Sequence, residues 1–319
     1  MIDLVESSIV QADAFRLDVF SGLAQPHKTL PSRWLYDDRG CELFEDITRV
    51  KEYYPTVTEK AILRERSAEI AEFCGPGVTL IEYGAGAGIK TEIVLDALTR
   101  PNGYVPIDIA GEFLLATAQR MAKEFPSLTT WPVVADFTSN FLLPPSLPTG
   151  NRVGFFPGST LGNLDKEQAR AFLRRMHQHV GEGGRAIIGI DLIKDLRRLL
   201  PAYDDVMGVT AEFNLNYLKR INRELRGTFP VDRFEHEARW NAEDKAVEMH
   251  LVSLDSRSVT VGAHAFLFDA GETIHTESSR KYDVPSIRKL ATSTGWKLDH
   301  VWTDKYSLFA VVGLSAIDL

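Results

Sequence analysis

The sequence predicts an α/β protein built on a mostly parallel sheet. From about Val57 onward, short apolar segments of strand length alternate with longer segments whose apolar residues recur every three or four positions, as in amphipathic helices. Regular alternation of strand and helix is typical of a parallel sheet covered by helices. A chain of 319 residues, 44% of them apolar, is also long enough for a large core and close to the length of two domains.

Five apolar segments have the length and continuity of strands that are buried on both faces. They are residues 78–83, 104–109, 131–137, 152–157 and 186–191. The segments between them have helical spacing at residues 90–98, 111–125 and 165–180, and the last helix is expected to stop at the glycine-rich residues 181–184. Residues 141–151 contain three prolines and indicate a loop between two core strands.

The alternation breaks after Asp191, which predicts a second lobe. Residues 204–225 have a helical pattern, whereas residues 234–240, 246–254 and 258–268 have the period of two that is typical of antiparallel strands. Residues 286–314 return to one helix and two strands, joined by a tight turn at 303–305, which would complete the first sheet. We therefore predict a core at residues 57–193 and 282–319, and a smaller α+β domain at residues 1–56 and 194–281.

Composition limits the partners and the compartment. A net charge of −8 disfavours a nucleic-acid partner. No apolar run approaches the roughly 20 residues of a membrane helix, and the start MIDLVESSIV has acids where a secretory signal has Lys or Arg, so the cytoplasm is expected. Cys41 and Cys74 are expected to be reduced thiols. His177, His179 and His236 lack the spacing of metal ligands, so we predict surface histidines and no metal.

A glycine-rich loop follows the first predicted strand and enters a helix, where open α/β sheets bind nucleotides. Its glycines are Gly84, Gly86 and Gly88. A dinucleotide site requires the spacing GxGxxG, but here Ile89 stands where the third glycine belongs. The spacing instead fits a loop that holds S-adenosylmethionine, a ligand without phosphate. A tight turn between strand and helix is the alternative.

Acids at the ends of the next two strands favour a cofactor site. Asp108 ends the second strand, where a carboxylate can accept hydrogen bonds from both ribose hydroxyls. Asp136 ends the third and is followed by Phe137, so a carboxylate is available for the adenine amino group and a ring for the base. Each acid alone is more often a cap or turn residue. Glycine loop, acid and acid-aromatic pair in this order make S-adenosylmethionine the expected cofactor.

The fourth strand runs into a polar turn at the same edge of the sheet, residues 157–163. Its position predicts a role for Gly158 and Asn163 in binding the second substrate. The alternative is structural, because glycines shape turns and Asn163 could cap the helix that begins near Asp165.

Six longer strings are unrelated to generic cofactor loops: LPSRWLYDDRG, KEYYPTVTEK, FFPGSTLGN, AYDDVMGVTAEFNLN, VEMHLVS and ETIHTESSRKY. They resemble the histidine Nα-methyltransferase family of ergothioneine biosynthesis. The resemblance implies trimethylation of the α-amine of L-histidine by S-adenosylmethionine, giving hercynine and S-adenosylhomocysteine without a metal. It also implies a Rossmann-like class I methyltransferase core with a smaller substrate-binding domain, in a chain that we expect to be a monomer.

The resemblance assigns site residues by motif. It places the cofactor against Tyr36, Gly84, Lys90, Asp108, Asp136 and Phe137. It places the amino acid against Tyr53, Gly158, Asn163, Tyr203, Met249, Glu277, Ser278 and Ser279, with Glu277 and Ser279 facing the imidazole. Tyr36 and Tyr53 would orient the amine or relay its proton, or else only pack at a domain boundary. The neighbouring Tyr54 could take the role of Tyr53, and Val57 and Arg280 depart from the family pattern.

Two other functions remain open from the sequence. One is methylation of another amine, such as a tryptophan derivative. Glu277 favours histidine, because a buried carboxylate suits a ring that donates N–H and can become cationic. The other is a protein that binds S-adenosylmethionine without turnover, which predicts a degraded acceptor pocket.

Overall fold

The computed structural model describes the backbone from Leu4 to Ile317 and the side chains from Ala12 to Ile317, so the first residues of the MIDLVESSIV segment lie outside the described part. The chain forms two compact units. One contains the residues up to Tyr53 and Asp195–Ser278, and the other contains Tyr54–Lys194 and the residues from Ser279 onward. The sequence predicts these changes of unit after residues 56, 193 and 281, and the structure has them after residues 53, 194 and 278.

The helices, in chain order, are α1 Leu4–Leu23, α2 Asp38–Ile47, α3 Tyr54–Glu65, α4 Ser67–Cys74, α5 Ile89–Ala97, α6 Gly111–Glu124, α7 Lys166–Val180, α8 Leu196–Leu199, α9 Val209–Leu225 and α10 Val284–Thr292. The strands are β1 Lys28–Thr29, β2 Thr79–Tyr83, β3 Gly103–Asp108, β4 Thr129–Thr130, β5 Val133–Val134, β6 Arg152–Phe156, β7 Arg185–Asp191, β8 Phe234–Asn241, β9 Ala246–Ser253, β10 Arg257–Val261, β11 His264–Phe268, β12 Thr273–Arg280, β13 Trp296–Thr303 and β14 Phe309–Ala316. Short 3₁₀ turns lie at Ser32–Leu35, Thr160–Asn163, Leu200–Ala202 and Val231–Arg233.

The unit that begins at Tyr54 is built on an eight-stranded sheet, and we call it the eight-stranded unit. Its strand order is β13-β14-β7-β6-β2-β3-β4, and β5 also pairs with β3. All pairs are parallel except those of β14 with β7 and β13, so the carboxyl-terminal hairpin completes the first sheet as predicted. In the sheet, β3 lies on one side of β2 and β6 lies on the other, so the order of the strands reverses beside β2. Open α/β sheets bind ligands at such a reversal.

The central strands are buried on both faces, which explains their continuous apolar sequences. In β7, Ile188 and Ile190 join the core cluster that includes α7 and α10, whereas Ile187 between them joins the cluster that includes α3, α4 and α5. Alternate residues therefore pack into different cores. The structure confirms the predicted Rossmann-like α/β fold of this unit.

The other unit, which we call the four-stranded unit, contains a sheet of order β1-β12-β9-β8 and a separate hairpin of β10 and β11. The pair β8 and β9 is antiparallel, whereas β1 runs parallel to β12. Strand β12 continues to Arg280, so its last two residues belong to the eight-stranded unit. The mixture of helices α1, α2 and α9 with these strands is the α+β architecture that the sequence predicts.

Four predicted elements differ from the structure. Residues 258–268, which have the pattern of a single strand, form the hairpin of β10 and β11. Of the strand predicted at residues 131–137, only β5 forms; β4 lies just before it, and Pro132 between the two has no N–H to donate. The helix predicted from residue 204 begins only at Val209, because the Asp205 carboxylate accepts from the amides of Val209 and Thr210 and holds the preceding residues in a turn. The carboxyl-terminal turn is longer than predicted, since Asp304 accepts from three later amides.

Residues 141–151 contain no helix or strand, as predicted. Among the described helices, none has the length and apolar character needed to cross a bilayer.

Candidate functional site

The glycine loop between β2 and α5 has a backbone that other residues adopt rarely. Gly84, Gly86 and Gly88 have φ values of 70°, 49° and 68°, in the left-handed region that glycine tolerates. A Cβ atom on Gly86 would meet nothing within 4 Å, so the space above the loop is open. The loop therefore exposes backbone without side chains, against which a ligand can lie directly.

Asp108 lies at the end of β3 and holds this loop. Its Oδ2 accepts a hydrogen bond from the Gly86 amide at 3.1 Å, and its Oδ1 accepts from the Ala110 amide at 3.0 Å. Burial raises the pKa of the carboxyl, and the backbone donors oppose that rise. Each carboxylate oxygen has a further lone pair, so Asp108 can accept hydroxyl hydrogens from a ligand on the loop.

Asp136 and Phe137 behave differently from each other. The Oδ1 of Asp136 accepts from the amide and the hydroxyl of Thr138, at 2.8 and 2.6 Å, in a local turn. Phe137 packs edge-on against Phe156 at 5.3 Å between ring centroids. A Cβ atom on Gly84 would lie 3.5 Å from its ring. The structure thus places the aromatic ring beside the glycine loop, and it gives Asp136 a turn role that leaves its adenine contact a prediction.

Lys90 and Gly158 come together on a carboxylate that the sequence did not indicate. Glu59 of α3 is 1% exposed, and both of its oxygens accept from the Gly158 amide, at 3.0 and 2.9 Å. The ammonium of Lys90 lies 2.6 Å from Oε2 of Glu59. A Cβ atom on Gly158 would lie 3.3 Å from that ammonium, and Gly158 has a φ of 82°. Glu59 therefore fixes the predicted substrate turn and the predicted cofactor lysine at once.

Asn163 lies in the 3₁₀ turn that follows Gly158. Asn163 does not cap α7, because the N-cap is Asp165, whose carboxylate accepts from the amides of Glu167 and Gln168 in a capping box. The backbone of the turn packs closely on the end of β12, since a Cβ atom on Gly162 would lie 2.6 Å from the Arg280 carbonyl oxygen. Within the eight-stranded unit, the Asn163 turn and the segment from Ser279 are therefore neighbours.

A second buried carboxylate, Asp191, ends β7. Two ammonium groups pair with it, those of Lys194 at 2.5 Å and Lys281 at 2.9 Å. The hydroxyl of Tyr54 donates to the same carboxylate at 2.9 Å, and the Asp191 amide donates to Ser159 Oγ at 2.9 Å. Burial lowers the pKa of Lys194 to about 8. Lys281 also donates to Ser279 Oγ at 2.9 Å, so the cluster reaches a predicted substrate residue.

The four-stranded unit gathers the predicted tyrosines in one aromatic cluster. The ring of Tyr36 lies 5.6 Å from that of Phe44, and Tyr53 lies 6.2 Å from Phe44 and 6.3 Å from Tyr203. The Tyr36 hydroxyl donates to Glu277 Oε1 at 3.5 Å, and Glu277 is only 7% exposed. Burial, together with the negative charge of Glu277, raises the pKa of Tyr36 well above its usual value. The predicted imidazole acceptor and the predicted catalytic tyrosines therefore share one environment.

Met249 and Ser278 are the other predicted substrate residues of this unit. Met249 is a buried residue of β9, and its carbonyl accepts from the Thr276 hydroxyl at 3.1 Å. Ser278 Oγ lies 3.0 Å from Nε2 of His275. The structure thus gives Ser278 a hydrogen-bond partner of its own, while its neighbours Glu277 and Ser279 bond to Tyr36 and Lys281.

Tyr53 and Tyr54 have separate environments. Tyr53 belongs to the aromatic cluster, whereas the Tyr54 hydroxyl donates to Asp191 and accepts from Lys194 at 2.6 Å. This difference favours Tyr53 as the residue for substrate and assigns Tyr54 to the Asp191 cluster.

The prediction of surface histidines was wrong, because all three are half-buried, and the ring of His177 packs edge-on against Trp296 at 5.4 Å between ring centroids. His179 is half-buried and stacks on Tyr83, whose hydroxyl lies 3.0 Å from its Nδ1. His236 is half-buried and contacts the Tyr203 carbonyl at 2.7 Å and Asn214 at 2.9 Å. Both point inward because they satisfy buried polar groups. Within the described residues, no group of three or more His, Cys, Asp or Glu side chains is arranged to hold a metal ion.

Sequence reasoning missed Glu59, Asp191, Lys194 and Lys281. Asp191 ends an apolar strand just as Asp108 does, so the same signal was available for it. Glu59 is a charged residue inside an amphipathic helix, where a solvent-facing position is the usual outcome. Only the approach of Gly158, far along the chain, gives its carboxylate a buried partner.

The chain is similar to known methyltransferases along most of its length. A family model described as histidine-specific methyltransferase, SAM-dependent, matches residues 15–316. The chain is 41% identical over 304 residues to histidine N-alpha-methyltransferase of Mycobacterium tuberculosis, covering 93% of this chain and 94% of that protein. It is 39% identical over 298 residues to the protein of that name from Mycolicibacterium smegmatis, covering 92% of each. An N-methyltransferase of Aspergillus flavus is 27% identical over 300 residues, covering 90% of this chain and 81% of that protein.

Proposed function

The chain belongs to the family of histidine-specific, S-adenosylmethionine-dependent methyltransferases, and we propose that it methylates the α-amine of L-histidine. The product after three transfers is hercynine, in an early step of ergothioneine biosynthesis. Similarity to two histidine N-alpha-methyltransferases over more than nine-tenths of the chain supports this function. The observation that carries it is the buried carboxylate of Glu277 within the tyrosine cluster, an acceptor suited to an imidazole N–H.

The eight-stranded unit has the residues to hold S-adenosylmethionine. The loop of Gly84, Gly86 and Gly88 presents open backbone, and Asp108 accepts hydrogen bonds at its edge. Phe137 lies beside the loop, where a base can pack on its ring. When bound, S-adenosylmethionine supplies an electrophilic methyl group on a sulfonium and leaves as S-adenosylhomocysteine. In our proposal, Lys90 and Asp136 complete this site.

The amino acid is held by groups that differ in chemistry. In our proposal Tyr53, Asn163 and Tyr203 hold its amine and carboxylate, with Gly158 in the same turn as Asn163. Glu277 and Ser279 face the imidazole, Ser278 is a further substrate-binding residue, and Met249 lines the ring's pocket. Holding the nitrogen in line with the transferred methyl group supplies much of the rate, because a correct bound geometry removes the entropic cost of a bimolecular step.

The amine must be neutral to react, although free amino acids carry it protonated near neutral pH. Tyr36 is poorly suited as a base at neutral pH, because its raised pKa keeps it protonated. We assign Tyr36 and Tyr53 to orientation of the amine and to passage of its proton to solvent. Each methylation before the last leaves a proton on nitrogen that has to leave before the next transfer.

Methylation of a different amine is the second candidate, and the Aspergillus flavus relative gives it support, because it is described only as an N-methyltransferase. Glu277 argues for histidine, since burying a carboxylate against an indole leaves most of its lone pairs without donors. Binding without turnover is the third candidate.

Incubation with labelled S-adenosylmethionine and a panel of amino acids separates these functions. We expect label in mono-, di- and trimethylated histidine, with D108A as a control that weakens cofactor binding. Label only in another amine would support the second candidate. Cofactor binding without any labelled product would support the third. A monomeric enzyme in the cytoplasm, with no nucleic-acid partner, remains a prediction.

A further inference from the structure

Lys281 is a fully buried lysine that touches a predicted substrate residue. Its side chain is 0% exposed, its ammonium lies 2.9 Å from Asp191 Oδ2, and it donates to Ser279 Oγ at 2.9 Å. Asp191 is equally buried and also pairs with Lys194, which makes no hydrogen bond to Ser279 among the contacts described for these residues. One carboxylate therefore fixes the ammonium that in turn fixes the serine.

An ammonium group can only donate hydrogen bonds, so this contact gives the Ser279 hydroxyl a direction. The hydroxyl oxygen accepts from Lys281, and the hydroxyl hydrogen then points to another acceptor. An ionised carboxylate such as Glu277, two residues earlier in β12, can only accept. A neutral imidazole has one N–H donor and one bare nitrogen acceptor. Its N–H can donate to the carboxylate, and its bare nitrogen can accept from the serine hydroxyl.

We infer that Lys281 is a specificity-determining positioning residue, which fixes Ser279 as a hydrogen-bond donor and thereby selects histidine with a neutral imidazole in one tautomer. The inference rests on the proposed function, in which Ser279 faces the imidazole. Histidinium would bring a second N–H against the hydrogen of Ser279 and is disfavoured. A ring without a bare nitrogen would leave that hydroxyl without an acceptor.

Two pyrrolylalanine isomers provide the test, because in each one ring nitrogen of histidine is replaced by C–H. The quantity to measure is the kcat/KM for histidine divided by that for the better isomer. In the parent protein we expect a ratio of about tenfold or more, the value of one hydrogen bond to a buried group. In Lys281→Met the ratio should fall to that of Ser279→Ala. Lys194→Met is the matched control, because it removes the other ammonium from Asp191 without touching Ser279, and its ratio should stay at the parent value.

A second measurement uses the unaltered protein and does not depend on whether the variants fold. Histidine labelled with ¹⁵N in the ring should show one protonated and one bare nitrogen when bound. Two protonated nitrogens would overturn the inference, as would a parent ratio that persists in Lys281→Met or an equal fall in Lys194→Met. Those results leave histidine methylation intact, whereas a parent protein that neither binds nor methylates histidine would refute the proposed function itself.

Discussion

The ammonium of Lys90 lies 2.6 Å from the carboxylate of Glu59, and the same carboxylate accepts the Gly158 amide with both oxygens. One buried anion thus links the helix that follows the glycine loop to the turn that follows β6. A buried carboxylate is tolerated only when cations and hydrogen-bond donors compensate its lost hydration. Glu59 has both, so it is a structural support for the two predicted binding segments.

Replacement of Glu59 by Gln should therefore destabilise the fold. The amide keeps the shape of the side chain, but it removes the charge that compensates Lys90. We expect the free energy of unfolding, measured in urea, to fall by about 1–3 kcal/mol. E65Q on the exposed face of the same helix is the control and should change little. Equal stability of E59Q and the parent would mean that the pair contributes nothing to folding.

Gly189 of β7 packs against the same Glu59 carboxylate, so a substitution there also probes it. A Cβ atom on Gly189 would lie 1.9 Å from Glu59 Oε1, closer than any real contact. We expect G189A to lower the free energy of unfolding by about 1–3 kcal/mol through overpacking. Its effect should be smaller in an E59A background, where the clashing carboxylate is absent. Additive effects in this double-mutant cycle would show that the strain at Gly189 arises elsewhere.

Asp108 should be needed for cofactor affinity. In D108A the Gly86 amide of the glycine loop loses its hydrogen-bond acceptor, and the hydroxyls of a bound ribose lose the same acceptor. Loss of hydrogen bonds to a charged acceptor should weaken S-adenosylmethionine binding by roughly 1.5–3 kcal/mol. Calorimetry on D108A and on D96A, an exposed acid of α5, provides the comparison. If both variants bind as the parent does, Asp108 does not contact the cofactor.

Stability should also depend on the ionisation of Glu82, a buried residue of β2. Burial raises the pKa of this carboxyl to about 8, against the stabilising hydrogen bonds that Thr91 and Tyr104 donate to it. Between the usual value of 4.5 and about 8, the native protein holds a proton that the unfolded chain has released. The contribution to stability is therefore complete below the lower value and is lost as the pH rises, at up to about 1.4 kcal/mol per pH unit.

Urea denaturation of the parent and E82Q at pH 5.5 and 8 measures this contribution. Glutamine cannot ionise, so the variant should lose less stability than the parent between the two pH values. Equal losses would show that Glu82 does not change its protonation on folding in this range.

The parts of the fold that the sequence predicted well are those governed by local pattern. Strands β2, β6 and β7 lie within one residue of prediction, because burial on both faces makes the sequence continuously apolar. The errors have local causes. Pro132 interrupts the third strand, and Asp205 delays the start of α9 by binding its first amides.

The site was predictable only in part. The glycine loop and Asp108 follow from strand-end chemistry, and the resemblance supplied Glu277 and the tyrosines. Glu59 and Lys281 carry no local signal, because their role depends on partners distant in the sequence, Gly158 and Asp191. Sequence position alone makes such charged residues look like solvent-exposed ones.

The last prediction concerns the choice of histidine, which we assign to Glu277. This carboxylate is buried in the tyrosine cluster, so a ligand that offers it no N–H leaves it poorly solvated. E277A should lower kcat/KM for histidine by roughly tenfold to a hundredfold, the value of one charge-assisted hydrogen bond of about 1.5–3 kcal/mol. Activity on tryptophan or phenylalanine should fall much less or rise, since an apolar ring no longer meets a desolvated charge.

The measurement is the histidine-to-tryptophan ratio of kcat/KM in E277A and the parent, with E235A, an exposed acid of β8, as control. A ratio that falls only in E277A means that this carboxylate reads the side chain. An unchanged ratio means that other residues recognise the imidazole. It would not contradict methylation of histidine, because the amine-binding and cofactor residues are separate side chains. A loss of activity on every amino acid in E277A, with the fold intact, would instead assign Glu277 to positioning Tyr36, whose hydroxyl donates to it.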